Sequence, residues 1–334
     1  MKDILIIHTG GTFGMVPKKT ASTLAPNQVQ AQITQHVPEL EKIANIDFRA
    51  VFNIDSADME PAHWQQLATL IYENIEPYDG FVIIHGTDSM SYTAAALSFM
   101  LQNMPKPVII TGSQRPIAEI RTDARMNLIN AVELATYSIP EVCIFFGTEL
   151  FRGNRAVKES STEYGAFISP NYPPLAEVGL EIEIDQRLLL QPGGKAQPKT
   201  AISDKVLVIP FFPGQQPQYL QWLLDSPIKA IVIEALGLGN VAVKDNALVA
   251  LIEELTTADN LVVITSQSHH GWVDLSRYEN GKRIQAAGAI GAYDMTLEAT
   301  IVKLMHLLGE YSDDIIEVRK RLCKPIAGEI STQD

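Results

Sequence analysis

Short apolar runs alternate with longer stretches of helical period along most of the chain. Residues 4–7, 48–54, 81–84, 108–110 and 142–146 are too short for helices and rich in β-branched or aromatic side chains, which predicts strands. Between them lie amphipathic stretches over about 61–75, 89–104 and 122–136. Pro61 suits a first helical turn, and Asp58 and Glu60 stand near that helix start. Strands alternating with helices predict parallel β-α-β units, whose sheets are covered on both faces.

The pattern breaks between about 184 and 205, where Gln191-Pro192-Gly193-Gly194 and Pro198 punctuate a segment without period. Strands resume at 206–209, 230–233 and 261–264, with helices over about 246–255 and 296–308. The expectation is an α/β protein of two α/β domains with largely parallel sheets. A larger N-terminal domain covers 1–187, a linker 188–205 and a smaller C-terminal domain 206–334. No fixed-period repeat is present.

Composition narrows the function classes. A chain of 334 residues favours two domains at roughly 150 residues each. Lys plus Arg is 26 and Asp plus Glu 39, a formal charge of −13; that surface repels phosphate backbones and anionic lipid, so no nucleic-acid or membrane partner is expected. Apolar residues at 46 % and charged residues at 19 % supply a large core and argue against disorder. Two cysteines, Cys143 and Cys323, cannot build a disulfide framework or a thiolate cage. Cys143, inside the run 142–146, reads as a buried structural thiol. The apolar run at the N-terminus is too short for a signal sequence and enters a Gly turn, and no other run approaches a membrane span. The expected location is a reducing, cytoplasmic compartment.

Sites on parallel sheets form beyond the carboxyl ends of the strands, and three predicted strand ends carry hydroxyl-bearing Gly turns. The first is His8-Thr9-Gly10-Gly11-Thr12-Phe13-Gly14, where two glycines allow a sharp turn and close approach to a ligand. Thr9 stands where a dinucleotide fingerprint needs its first glycine, which disfavours that reading. The second is His85-Gly86-Thr87-Asp88-Ser89-Met90, whose free N–H groups suit an oxyanion or carboxylate; Asp88 taken alone reads as an N-cap. The third is Thr111-Gly112-Ser113-Gln114. Asp55-Ser56-Ala57-Asp58-Met59 ends a further strand, and Arg152-Gly153-Asn154-Arg155-Ala156-Val157-Lys158 taken alone reads as a solvated hairpin.

In this order the segments resemble the bacterial-type L-asparaginase family, in particular its cytoplasmic type I branch. Further matches are Tyr92-Thr93-Ala94, Ser169-Pro170-Asn171, Pro173-Pro174, Gly237-Leu238-Gly239-Asn240 and Asp294-Met295-Thr296-Leu297-Glu298-Ala299. The resemblance runs end to end, and the two Thr motifs are specific as a pair. It implies a flavodoxin-like N-terminal domain, no cofactor, no metal, and hydrolysis of asparagine, with glutamine as a second candidate substrate.

Residue by residue, Thr12 matches the family's nucleophile, while Thr87, Asp88 and Lys158 match a cluster that activates the attacking group and positions substrate. Ser56, beside Asp55, matches the serine that holds the α-carboxylate, and Asp88 also matches a contact to the α-ammonium. The Thr87 backbone would contribute to the oxyanion hole, and Ser113 sits where a loop contacts the side-chain amide. Asn240 matches a residue that approaches the active site of a neighbouring subunit, and Glu279 aligns more loosely with a second such group. Family members are tetramers of intimate dimers, so a homodimer or homotetramer is implied.

The chemistry suits these types. A threonine hydroxyl needs a base to take its proton. A lysine serves only when neutral, which burial promotes and an adjacent carboxylate opposes; which base acts first stays open. The implied course is attack on the side-chain carbonyl, loss of ammonia from a β-aspartyl ester, then hydrolysis.

Two departures stand out. The family's loop tyrosine near the nucleophile is absent, for residues 12–53 contain no tyrosine and the loop reads Lys18-Lys19-Thr20-Ala21-Ser22-Thr23-Leu24-Ala25-Pro26. A hydroxyl from Ser22 or Thr23 substitutes, or Lys158 carries proton transfer alone, or activity is low. Ala57 stands where other branches carry Gln or Ser against the substrate amine, a loss that relaxes discrimination.

Gly237-Leu238-Gly239-Asn240-Val241-Ala242 fits G-x-G-x-x-A, but the strand over 261–264 ends without an acid for a ribose. His269-His270 has no ligand partner at helical spacing and reads as a surface loop. Arg319-Lys320-Arg321 reads as a solvated helix face near a C-terminus. Two other functions share the motif set. One is the glutaminase-type subunit of a tRNA-dependent amidotransferase. That subunit carries an extra N-terminal domain, for which a nucleophile turn at His8 is expected to leave no room, and the −13 charge disfavours tRNA. The other is a catalytically weak asparagine-binding sensor, motivated by the absent tyrosine.

Overall fold

The computed structural model describes residues 1–16, 22–23 and 26–331, and the side chains of residues 15–29 lie outside that description, so Leu24 and the side chains of Ser22 and Thr23 do too. Two compact units divide the chain, Met1–Lys199 and Thr200–Asp334.

The first unit is built on an eight-stranded sheet. Its strands are β1 (Lys2–Gly10), β2 (Ala44–Ile54), β3 (Gly80–Ile84), β4 (Val108–Thr111), β5 (Val142–Phe146), β6 (Glu149–Arg152), β7 (Ala176–Val178) and β8 (Ile182–Ile184). They lie in the order β8-β7-β6-β5-β4-β3-β1-β2. The five strands from β2 to β5 are parallel, in the flavodoxin-like order 2-1-3-4-5. β6, β7 and β8 extend the far edge antiparallel.

Alternation of side chains divides the parallel strands between two cores. Ile4, Ile6, Val82, Ile84, Ile109, Cys143 and Phe145 pack with Ile33 of α1 (Pro26–His36), with Val37 just beyond it, and with Leu128, Ala131 and Val132 of α4 (Ala124–Leu134). α2 (Pro61–Glu73) packs on α3 (Met90–Met100), and α3 packs on β5. All of α3 except Tyr92 is buried, and its alanines let backbone approach closely, since a Cβ on Gly153 would lie 3.2 Å from the Ala94 methyl. Burial pushes the Cys143 thiol well up, with Glu141 adding to the effect.

The second unit holds β9 (Val206–Pro210), β10 (Ala230–Ala235), β11 (Leu261–Ser266) and β12 (Ile290–Gly291), parallel and in sequential order. α5 (Ala247–Thr257) and α6 (Glu279–Ala286) share one core with it, α7 (Leu297–Glu310) and α8 (Ile315–Leu322) the other. Lys303 and Glu329 form a fully buried ion pair, Nζ to Oε1 2.5 Å. Lys303 also donates to the Leu322 and Lys324 carbonyls, and the Glu329 carboxylate accepts from the Ile326 and Ala327 amides. The pair thereby ties the C-terminal segment to α7. Among the described residues no helix is long and apolar enough to cross a membrane.

Candidate active site

In a sheet of order 2-1-3-4-5 the crevice opens between the carboxyl ends of the first and third strands, here β1 and β3. The turn after β1 is pressed tightly there. Gly10 and Gly11 have φ of +118° and +81°, and a Cβ on Gly10 would lie 2.1 Å from the Ile54 carbonyl oxygen. A Cβ on Gly11 would lie 2.4 Å from the Gly86 Cα, and one on Gly86 would lie 2.6 Å from Ser56 Oγ. A Cβ on Gly112 would lie 2.2 Å from the His85 carbonyl oxygen. Glycine at these positions is the condition for four turns to share one sheet edge. The Gly11 amide donates to the Ile54 carbonyl at 3.1 Å, and Ser89 Oγ donates to the Ser56 carbonyl at 2.6 Å.

Thr12 opens a 3-10 turn, Thr12–Gly14, and is half-buried. Phe13 beneath it is fully buried, and its carbonyl accepts from the Ile117 amide at 3.2 Å. Asp55 caps the short turn Ser56–Asp58 by accepting from the Ala57 amide at 3.0 Å. Ser56 is buried, whereas Asp55 and Ala57 are exposed.

Thr87 is 7 % exposed. Lys158 Nζ donates to Thr87 Oγ1 at 2.8 Å and to Asp88 Oδ1 at 2.5 Å. Asp88 therefore does not cap α3. The N-cap is Ser89, which makes no side-chain cap bond, its hydroxyl donating to the Ser56 carbonyl, while the Asp88 carboxylate engages the lysine. Lys158 reaches the cluster from the short strand Val157–Lys158, paired antiparallel with Phe167–Ile168.

The segment leading to Lys158 is buried, contrary to the solvated hairpin its polarity predicts. Arg152, Asn154 and Arg155 are 4 %, 1 % and 1 % exposed. Arg152 Nε donates to Glu141 Oε2 at 2.6 Å and Nη2 to the Leu188 carbonyl at 2.6 Å. Both guanidinium groups lie over the Tyr172 ring, at 4.5 and 5.2 Å. Paired charge and a π face make burial tolerable, and the result is a rigid support for Lys158.

A buried relay holds the backbone before Thr87. Trp64 Nε1 donates to Thr93 Oγ1 at 2.9 Å, Thr93 Oγ1 lies 2.9 Å from His85 Nε2, and His85 Nδ1 lies 2.6 Å from the Gly86 carbonyl oxygen. Indole only donates and a carbonyl only accepts. The Thr93 proton therefore goes to Nε2, and Nδ1 carries the ring proton toward Gly86. The ring is neutral, its pKa lowered to about 4 by burial, against which the Gly86 hydrogen bond acts. In a trans peptide the C=O and N–H point oppositely, so the Thr87 amide is turned away from the ring. His8, buried and stacked on Phe48, is likewise lowered to about 4 by burial, against which the neighbouring Asn53 acts.

The turn at 112–115 hangs from α4. The Asp123 carboxylate accepts from the Gln114 amide (2.9 Å) and the Arg115 amide (3.1 Å), and Asn127 Nδ2 donates to the Gly112 carbonyl at 3.0 Å. Ser113 is 1 % exposed, and its hydroxyl has no hydrogen-bond partner among the described residues. Gln114 Nε2 donates to the Glu163 carbonyl at 3.0 Å and the Ser160 carbonyl at 3.4 Å, while Thr87 Oγ1 donates to Gln114 Oε1 at 3.5 Å. Sequence reasoning assigned no role to Gln114, Asp123 or the Trp64–Thr93–His85 relay. The position of Gln114 directly after Ser113 was the available signal.

Asn240 and Glu279 belong to the second unit. Leu236 and Asn240 bridge across a turn, and Glu279 opens α6. No helix begins at Gly237-Leu238-Gly239, since α5 starts only at Ala247, which removes the helix N-terminus a dinucleotide needs. His269 and His270 are exposed. Among the described residues no group of three or more His, Cys, Asp or Glu could hold a metal ion.

Residues 3–190 match the family model for the asparaginase N-terminal domain, and residues 205–322 that for the glutaminase/asparaginase C-terminal domain. The chain is 37 % identical to L-asparaginase 1 of Escherichia coli K12, an alignment covering 100 % of this chain and 99 % of that one. The crystal structure of L-asparaginase I from Vibrio cholerae superimposes with a TM-score of 0.90 at 36 % identity, covering 99 % of each chain. A glutamyl-tRNA(Gln) amidotransferase subunit from Pyrococcus abyssi is 34 % identical over 99 % of this chain and 77 % of its own length.

Proposed function

This chain belongs to the asparaginase family and is an amide hydrolase, and from that premise we propose that it converts L-asparagine to L-aspartate and ammonia through Thr12. The Thr12 hydroxyl attacks the side-chain carbonyl carbon while its proton passes to a base. The C–N bond then breaks, the amine leaves protonated as ammonia, and a β-aspartyl ester remains on Thr12. Water attacks the ester, returns the proton to Thr12 and releases aspartate. The Thr87 backbone amide would help to hold the oxyanion.

The observation that carries this reading is the Lys158 bridge between Thr87 and Asp88, located where the turn of Thr12 abuts Gly86. A nucleophile turn in backbone contact with a Thr-Asp-Lys cluster is what hydroxyl-based acyl transfer needs. Ser56 would take the α-carboxylate end of the substrate and Asp88 its ammonium, while Asp55 holds the Ser56 turn by accepting from the Ala57 amide. The unpartnered Ser113 hydroxyl fits a contact to the side-chain amide, because a buried hydroxyl without a partner is costly until one arrives. Ala57 supplies no polar group toward the substrate amine.

The test is ammonia release by the purified chain with asparagine and, separately, glutamine, combined with acid quench and intact-mass measurement. Turnover of asparagine with a transient acyl adduct on the peptide containing Thr12 supports the reading. Absence of ammonia with both substrates overturns it. Sedimentation of the same sample tests the proposed homodimer or homotetramer, in which the exposed Asn240 is available to a neighbouring copy.

The similarity to a tRNA-dependent amidotransferase subunit supports a second reading, glutaminase action coupled to tRNA. The −13 charge weighs against tRNA contact. Glutamine-only activity that rises with charged tRNA and a companion protein would favour it.

A further inference from the structure

We propose that Gln114 is a positioning residue that sets the direction of the Thr87 hydroxyl, an inference that rests on the reading of Thr87 as part of the catalytic cluster. The amide of Gln114 can point only one way. Its nitrogen faces two carbonyl oxygens, those of Glu163 at 3.0 Å and Ser160 at 3.4 Å. Neither carbonyl can donate, so Nε2 must lie on that side and Oε1 must face Thr87.

An amide oxygen only accepts, so the contact to Thr87 Oγ1 at 3.5 Å is made by the threonine proton. Lys158 donates to the same Thr87 oxygen at 2.8 Å. The hydroxyl thus has its hydrogen committed to Gln114 and one lone pair committed to the ammonium. Its second lone pair is left for a proton from substrate or attacking water. Bonds of this kind are often long before substrate binds and tighten in the reacting complex.

The backbone of Gln114 is fixed independently of its side chain, by the Asp123 carboxylate that accepts from its amide and from that of Arg115. The carbonyls of Ser160 and Glu163 belong to the loop that precedes Phe167–Ile168, the partner strand of Val157–Lys158. Gln114 therefore links the two arms of the cluster, the turn after β4 and the hairpin that carries Lys158. It is half-buried. The charged groups on the elements around it are Lys158 and Asp88 beyond Thr87, Asp123 and Arg115 along its own turn, and Glu159 and Glu163 in the loop.

The experiment uses the full chain, with ammonia release from asparagine followed between pH 3.5 and 8, a range that spans the ordinary glutamic acid value of about 4.3, for wild type, Gln114→Leu and Gln114→Glu. Gln114→Leu is expected to lower kcat roughly tenfold with KM little changed, about the weight of one hydrogen bond. Gln114→Glu carries the sharper test. Protonated, the acid keeps an oxygen acceptor toward Thr87 and an O–H toward the Glu163 carbonyl. Ionised, it sets a carboxylate against two carbonyl oxygens and turns away. Its activity relative to wild type should therefore be near one at the acid end and fall as pH rises through the new carboxyl's pKa.

A ratio independent of pH for Gln114→Glu, or wild-type kcat for Gln114→Leu, would overturn the inference. A merely structural role would lower both variants by the same factor at every pH. Should Gln114→Leu fail to fold, judged by its circular dichroism, the pH profile of Gln114→Glu decides. Full activity of Thr87→Ala in the same assay would instead overturn the reading of the cluster itself; an inactive Thr87→Ala beside Gln114 variants that miss their expected profiles would overturn only the role of Gln114.

Discussion

Gly11 and Gly86 meet backbone to backbone, so close that a methyl group on Gly11 would sit 2.4 Å from the Gly86 Cα. This contact joins the turn of Thr12 to the turn of Thr87. Gly11→Ala must also hold an alanine at φ +81°. Strain of that kind costs about 1–3 kcal/mol before the clash is added. The expected outcome is a lower urea midpoint together with loss of ammonia release. Gly165→Ala, where an added Cβ meets nothing within 4 Å, serves as a control and should stay within about 0.5 kcal/mol of wild type.

The buried histidines give a pH dependence of defined sign. His8 and His85 are both held at about 4 by burial, below the ordinary 6.5. Between those values the unfolded chain binds the protons and the folded chain does not, so stability from these rings is full above pH 6.5 and lost as pH falls toward 4. The effect is on the order of 3 kcal/mol per ring. Glu149, Glu234 and Glu298 are raised by burial and act in the opposite sense. Paired comparison isolates the rings: the stability cost of His8→Gln or His85→Gln in urea unfolding should be smaller at pH 5 than at pH 7.5. A cost that grows on acidification would contradict the assignment.

Lys303 and Glu329 are both fully buried and bonded to each other and to backbone. Removing one partner leaves a buried charge unpaired. Lys303→Met should cost about 3–5 kcal/mol. The double variant Lys303→Met with Glu329→Gln should recover part of that loss, which a double-mutant cycle by denaturant unfolding measures.

Lys158→Met removes both hydrogen bonds of the cluster while Arg152, Glu141 and Tyr172 still anchor its hairpin. The expected result is a loss of kcat of about 10²–10⁴ with the thermal midpoint within a few degrees of wild type. Arginine should not rescue it, since a planar guanidinium cannot reproduce the ammonium's point contacts.

The five parallel strands of the first sheet and β9, β10 and β11 of the second were legible because a fully buried parallel strand is a short continuous run of β-branched and aromatic residues, as at Val142–Phe146 and Leu261–Ser266; β12, only Ile290–Gly291, was not. Strands β6, β7 and β8 were not legible. Glu149–Arg152, Ala176–Val178 and Ile182–Ile184 are short and half polar, and only their antiparallel partners make them strands. Arg152 and Arg155 misled for a related reason. Nothing local shows that Glu141, Tyr172 and Leu188 will enclose them. The Gly turns were legible at the candidate site, since tight turns after buried strands leave a sequence signature. The roles of Gln114 and of the Trp64–Thr93–His85 relay depend on residues that meet only in the fold.

Hydrolysis of asparagine through Thr12, aided by Thr87, is the reaction proposed for this family member. Steady-state ammonia release from asparagine by purified wild type, Thr12→Ala and Thr87→Ala, with circular dichroism on each, tests it most directly. Turnover by wild type is expected, with at least a hundredfold loss in each variant, about the smallest effect expected when a nucleophile or proton-transfer group is removed, and with unchanged spectra. Near-full activity in either well-folded variant would contradict it.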